Sequence, residues 1–379
     1  MNVAFPFVEQ RALFPILQHK AQLSSCSQSA LSQPVADAIR EYMASWQELG
    51  MHWGGWAAAL DEAKAEFARL IHAEAQDIAV MSCVSDLASS FGNSLDFGGQ
   101  RNGIVLGEVD FPSLGHVWLA QQQRGAKLEF VGDDAQSRID LSSYEAAITG
   151  RTQLVMVSQV SYSNGQLQDI AALAKLAHAQ GALLFVDAYQ SAGAMQIDVV
   201  RDDIDVLVSG AQKYLLGCPG IAFMYVRRDI AQRLRPPNTG WFGRVNPFAF
   251  DIHLLDYADG ARRFETGTPP YIAAMAARAA LRLINSLDMA QIERHIGHLS
   301  EVALQAAREH GLSVASPLDP MQKGSTTAVF VDDSAAVEKS MAAHGFIVSA
   351  RGPVIRVAPH FYNTADEVAR AMAMLSRCA

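Results

Sequence analysis

No two cysteines of this chain stand at a spacing that would ligate a metal or run a thiol–disulfide cycle. Cys26, Cys83, Cys218 and Cys378 are scattered along it, which excludes a zinc ribbon or a CxxC redox motif and fits reduced thiols. Positive charge is also in short supply: 30 lysines and arginines face 39 acids, a net charge of −9. A binder of nucleic acid or of an anionic membrane would carry a basic patch, so neither partner is expected. No apolar run reaches the ~18 uninterrupted residues that a membrane helix needs. The apolar opening, Met1 to Leu17, is broken by Glu9, Arg11 and two prolines. It has no basic leader or small-residue cleavage site and does not read as a signal peptide, so the expected location is cytoplasmic. Dinucleotide-binding and Walker glycine motifs, internal repeats and low-complexity tracts are absent too.

What is present is alternation. The 379 residues are 50% hydrophobic and 18% charged, enough to bury a core in two or three domains. Short apolar strands are predicted at Ile78–Met81, Gly103–Gly107, Lys127–Val131, Gln153–Ser158, Ala182–Val186, Asp205–Val208 and Ile221–Val226. Helical patterns such as Val117–Arg124, Leu141–Thr149 and Asp169–Gln180 separate them, with Gly125, Gly150 and Gly181 where helix C-caps belong. That order predicts an α/β fold with a mostly parallel sheet. An irregular stretch from Pro236 to Pro270 ends the alternation; then come long Ala-rich helices and a strand–helix–strand–helix tail. The expected organisation is an N-terminal segment, 1–30, packed near the domain junction, a large domain over 31–260 and a smaller α/β domain over 261–379.

Two side chains at strand ends carry chemistry. Ala182-Leu183-Leu184-Phe185-Val186 runs into Asp187, and Val206-Leu207-Val208-Ser209-Gly210 runs through Ala211-Gln212 into Lys213. An acid at the carboxyl end of a central strand lies where ligands bind in open α/β sheets. Taken alone, Asp187 reads more readily as a turn cap and Lys213 as a surface charge. Together they suit pyridoxal 5'-phosphate (PLP), whose aldehyde condenses with a lysine and whose ring nitrogen pairs with an acid. Apolar flanks disfavour the ammonium form of Lys213 and so make its free amine available.

The stretch Val186-Asp187-Ala188-Tyr189-Gln190-Ser191-Ala192-Gly193, with Gln212-Lys213-Tyr214-Leu215 and Gly217-Cys218-Pro219-Gly220, resembles the class V aminotransferase superfamily of fold-type I PLP enzymes. Kynureninases, cysteine desulfurases and isopenicillin-epimerase-like proteins belong to that superfamily. The resemblance implies a large domain with a mostly parallel mixed sheet and a smaller C-terminal domain. It implies that Phe111, in Phe111-Pro112-Ser113, stacks on the cofactor ring, and that the Gln190 amide meets its phenolic oxygen. Val84 and Ser85, at a predicted helix start, fall where relatives cradle the phosphate. Trp241-Phe242-Gly243 is similar to a kynureninase segment near the phosphate. Arg263-Phe264-Glu265-Thr266-Gly267-Thr268-Pro269 is similar to the segment from which Thr268 would reach the phosphate of a neighbouring subunit, which implies a homodimer with shared sites. Arg356 matches the arginine that grips the substrate α-carboxylate, and Arg351 is a second candidate.

The reaction is less constrained. Between Ser325 and Arg356 there is no cysteine, whereas desulfurases carry their nucleophilic cysteine on a loop before that arginine. Kynureninases have a tyrosine before the lysine; here Gln212 stands there, which can bind phosphate but has no proton to give. Transamination of an amino acid through a Lys213 Schiff base, with a keto acid as the other substrate, is the expected activity. Kynureninase-like C–C hydrolysis, racemisation or epimerisation, and a non-catalytic binding module on the same fold follow in that order.

Overall fold

The computed structural model describes residues 5–132 and 138–378; the first four residues of the N-terminal segment lie outside them. A short helix α1 (Val8–Arg11) and a two-residue strand β1 (Ala21–Gln22) lead into two long helices, α2 (Gln33–Leu49) and α3 (Trp53–Leu70). The main sheet comprises β2 (Ile78–Met81), β3 (Gly103–Gly107), β4 (Lys127–Val131), β5 (Thr152–Ser158), β6 (Leu183–Asp187), β7 (Val206–Gly210) and β8 (Ala222–Val226). Helices α4 (Val84–Asn93), α5 (Pro112–Ala120), α6 (Leu141–Ala147) and α7 (Ile170–Ala179) fill the connections, and α8 (Arg228–Arg233) follows the last strand. Two long helices come next, α9 (Tyr271–Asn285) and α10 (Met289–Glu309). The tail holds β9 (Thr327–Phe330), α11 (Ser334–Ala343), β10 (Phe346–Ile347), β11 (Ser349–Arg351), β12 (Val354–Val357) and α12 (Ala365–Cys378).

In space the main sheet runs β2-β8-β7-β6-β5-β3-β4. Strands β3 to β7 are parallel, while β8 is antiparallel to both its neighbours. Two antiparallel steps restore direction, so β2 points the same way as β7. Every strand except β8 therefore ends at one edge of the sheet, the edge at which open α/β sheets bind ligands. Both faces are covered, which is why the strands read as continuous apolar runs. Leu184, Val186, Leu207 and Phe223 face one core with α3 and α7. Phe185, Val206, Val208 and Met224 face another with α4 and α5.

The predicted strands sit within two residues of the observed ones. Helix ends differ more. The helix expected from Val117 begins at Pro112, whose fixed φ suits a first turn, and tightens into a 3-10 turn over Gln121–Arg124 before Gly125 at φ +98°. Asp169 caps α7 by accepting from the Ala172 N–H. The alternation did not anticipate α2 and α3. Both pack on α9, whose small Ala273, Ala274, Ala276, Ala277 and Ala280 are buried and let helices approach closely.

A second sheet, β11-β12-β9, is antiparallel throughout. It packs with α10 and α12 around Leu299, Val329, Ile355, Val357, Val368 and Met372. The N-terminal segment joins this body: β1 pairs in parallel with β10, and Ser24 bridges Ala358. Cys26 and Ser29 then reach the edge where the main strands end, the Cys26 carbonyl accepting from the Gln190 amide and the Ser29 N–H donating to the Gln212 carbonyl.

Candidate active site

Asp187 closes β6 and is 5% exposed. Its Oδ1 accepts the Tyr189 backbone N–H at 2.9 Å. Burial pushes its carboxyl above the ordinary range, while that N–H and the Lys213 ammonium pull the other way. Lys213 follows the end of β7 in a tight turn, with the Leu216 N–H on the Lys213 carbonyl at 3.0 Å and the Gly217 N–H on the Ala211 carbonyl at 2.8 Å. Leu216 takes a left-handed φ of +61° there. Burial lowers the Lys213 amine to about 8 against the opposing pull of Asp187 and Cys26, with Arg356 and Arg351 lowering it further.

The two residues share a cavity of about 220 Å³, which Val84, Ser85, Phe111, Gln190 and Gln212 also line. Val84 and Ser85 begin α4, whose first-turn N–H groups make that wall suited to an anion. Phe111 sits just ahead of α5, and its ring meets the Tyr162 ring edge-on at 5.0 Å. Gln190 is buried; its Nε2 donates to the Cys26 carbonyl at 3.0 Å, and its Oε1 has no partner among the described residues. Gln212 accepts the Tyr189 hydroxyl at 2.6 Å.

Other predicted residues lie apart from this cavity. Arg356, on β12 and 1% exposed, donates from Nη1 to the Tyr162 carbonyl at 2.7 Å and from Nη2 to the hydroxyls of Ser27 at 2.9 Å and Ser349 at 2.7 Å. Tyr162 itself lines the cavity, so this bond places Arg356 one residue away from it. Arg351 is exposed at the end of β11. Two residues from Ser349 along the strand, it shares the sheet face of Arg356, which pairs with Ser349 across the ladder. Trp241 packs on Trp53, Phe242, Phe248 and Phe250 instead. Thr268 is exposed and away from the cavity of its own chain.

Three contributors escaped the sequence reading. Asp110 is buried, accepts the N–H groups of Gly107 at 2.8 Å and Ser158 at 2.7 Å, and is pushed up to about 6 by burial. It ties the loop carrying Phe111 to the end of β5; an acid three residues after the strand-ending glycine was the only hint. Tyr162 lines the cavity, and its carbonyl accepts from Arg356. Tyr189, to which the motif assigns no role, also lines the cavity.

Pyridoxal phosphate fits these residues on observations of the cavity itself. A desolvated carboxylate, a half-satisfied buried amide, a helix N-terminus and an amine of depressed basicity surround one space of the size of a small ring. Comparison with known proteins points the same way. The family described as aminotransferase class-V matches residues 23–371. An uncharacterized aminotransferase of Bacillus subtilis, YcbU, is 40% identical over 366 residues, covering 96% of each chain. A kynureninase of Deinococcus radiodurans is 27% identical over 288 residues, covering 74% of this chain and 68% of its own. Among solved structures, a C-DES mutant with glycine covalently linked to its PLP cofactor superposes with a TM-score of 0.87 at 18% identity, covering 97% of this chain and 98% of the other. Sequence match, fold and cavity converge, and the chain belongs to the class V aminotransferase family of fold-type I, pyridoxal-phosphate-dependent enzymes.

Proposed function

We propose that the chain transaminates a small or medium amino acid, with Lys213 as the amine that bonds the cofactor and moves the proton. The observation that carries this reading is the Lys213 amine, lowered to about 8 and facing a cavity that also holds Asp187. When bound, pyridoxal phosphate supplies an aldehyde that condenses with amines and a ring that accepts electrons from the substrate α-carbon. Asp187 offers its carboxylate to the ring nitrogen, and Phe111 offers a ring face. Gln190 has a second amide N–H to give, one being spent on Cys26. Val84 and Ser85 offer first-turn N–H groups to the phosphate, with Gln212 beside them. Arg356 does not line the cavity but is close enough for Lys213 to feel its charge, as is Arg351 on the same sheet face; these two cations are the groups offered to a substrate carboxylate.

With a basicity near 8, Lys213 exists partly as free amine at neutral pH and can lift a proton from Cα and return it one position on. Gln212 places no titratable acid next to it in the chain, which favours proton transfer by the lysine alone over acid-assisted C–C hydrolysis. The Bacillus relative described as an aminotransferase supports the same choice.

The test is a panel of amino acids added to the purified holoprotein. Expected is a shift of the cofactor absorbance to that of the pyridoxamine form, one keto acid released per site, and reversal by a second keto acid. Anthranilate released from kynurenine would overturn the assignment in favour of C–C hydrolysis, and silence towards every amino acid would overturn it in favour of a binding module.

We further infer a homodimer. Phe248 and Phe250 are 57% and 72% exposed beside Trp241, and Ile252, close to them in the chain, is 90% exposed, apolar surface of the kind that marks protein contacts. Thr268 and Trp241 stand free of their own cavity, as residues serving a neighbour would. Sedimentation equilibrium is expected to give twice the 41.0 kDa chain mass; a monomer at micromolar concentration would sink the inference.

A further inference from the structure

The relation between Tyr189 and Lys213 is not explained by the roles above. The Lys213 Nζ lies 4.2 Å from the centroid of the Tyr189 ring and 5.6 Å from that of Phe111. An ammonium is drawn to the negative face of an aromatic ring, more strongly where water is excluded. The Tyr189 ring is also held in place with unusual care. Its hydroxyl donates to Gln212 Oε1 at 2.6 Å, and its backbone N–H donates to Asp187 Oδ1 at 2.9 Å. Its phenol lies against Gly210, where a Cβ would stand 2.0 Å from the hydroxyl oxygen and 2.1 Å from the ring carbon bearing it. Gly210 ends β7 in ordinary strand conformation, so the phenol, not the backbone, is what requires glycine there.

We propose that Tyr189 is a positioning residue for Lys213: its ring face parks the free lysine ammonium at the cavity wall, while Gln212 and Gly210 fix the ring. The proposal rests on the reading of Lys213 as the cofactor's amine. Tyr189 acts here through the lysine, favouring its charged form and one place for it to rest. Asp187 and Cys26 also favour that charge, Arg356 and Arg351 oppose it, and burial opposes it most. The ring is thus one of few groups holding a proton on this amine, and it sits close enough to decide where the side chain waits.

The experiment uses the full-length chain, its cofactor captured from the lysine as the oxime with hydroxylamine and then removed by dialysis. Trace acetylation across pH 6–10, read by peptide mass spectrometry, gives the titration midpoint of Lys213. Tyr189→Leu is expected to lower that midpoint by about 0.5–1.5 pH units. Gly210→Ala, which drives the phenol off its seat, should lower it in the same direction. Tyr189→Phe keeps the ring but loses its bond to Gln212, so its midpoint should fall between those of wild type and Tyr189→Leu. In the unsubstituted protein, the Lys213 ε-methylene should resonate upfield of the other lysines through the ring current, a reading that does not depend on any variant folding. An unchanged midpoint in a folded Tyr189→Leu protein, a fall in Tyr189→Phe as large as in Tyr189→Leu, or an ordinary ε-methylene shift would each overturn the proposal. Borohydride fixation of added cofactor separates the two ideas. Fixation elsewhere than Lys213 sinks the site reading itself, whereas fixation at Lys213 with an unmoved midpoint sinks the role of Tyr189 alone.

Discussion

Lys213→Ala is expected to lose turnover by at least about a thousandfold while the fold survives. In the proposed reaction two contributions vanish together, the amine that would bond the cofactor and the base that would carry the substrate proton, and each alone is worth orders of magnitude. The fold has little stake in this side chain. Its ammonium rests on the Tyr189 and Phe111 rings, and burial already disfavours its charge, so alanine removes a group that folding tolerates more than it needs. Steady-state assays with the amino-acid and keto-acid pair found by the panel, beside a thermal melt, make the check. Activity within tenfold of wild type, or a melting point lowered by more than about 5 °C, would mean that the lysine serves the fold and not the chemistry.

Arg356→Ala should raise KM for the amino acid by roughly 30–150-fold, the equivalent of about 2–3 kcal/mol, with kcat changed much less. The guanidinium is buried, and its three hydrogen-bond partners are neutral: the Tyr162 carbonyl and the hydroxyls of Ser27 and Ser349. Its Nε has no partner among the described residues. A buried cation satisfied only by neutral groups gains much from an anion brought by the ligand. The same contacts tie the N-terminal segment to β11 and to the cavity wall, so some loss of stability is expected alongside. Arg356→Lys discriminates between the roles: it keeps the charge but not the planar fork, and should recover stability better than KM. A KM that does not move while the melting point falls would leave Arg356 as a structural strut.

Much of the site was legible because strand polarity is written in the chain. Once apolar runs and helix signals fixed which way each strand points, Asp187 at the end of β6 and Lys213 past the end of β7 had to emerge at the same edge. Ser85 and Phe111 follow β2 and β3 by the same logic. The arginines were harder. Arg356 stands out by its motif, but its bond to the Tyr162 carbonyl, far away in sequence, depends on how the small sheet docks on the large one. Thr268 resembles a residue that serves a second subunit, and Trp241 one near the phosphate; a single chain leaves both away from its own cavity.

Local pattern alone thus determined the alternation of elements, the parallel sheet and the edge at which Asp187 and Lys213 meet, since burial period and chain direction are properties of neighbouring residues. Tertiary structure alone decided that the Tyr189 phenol lies on Gly210 and reaches Gln212, that Asp110 pins the Phe111 loop to Ser158, and that α2 and α3 cover α9. Those contacts join side chains from different strands and helices. Their distances are set by packing angles and registers that no single segment encodes.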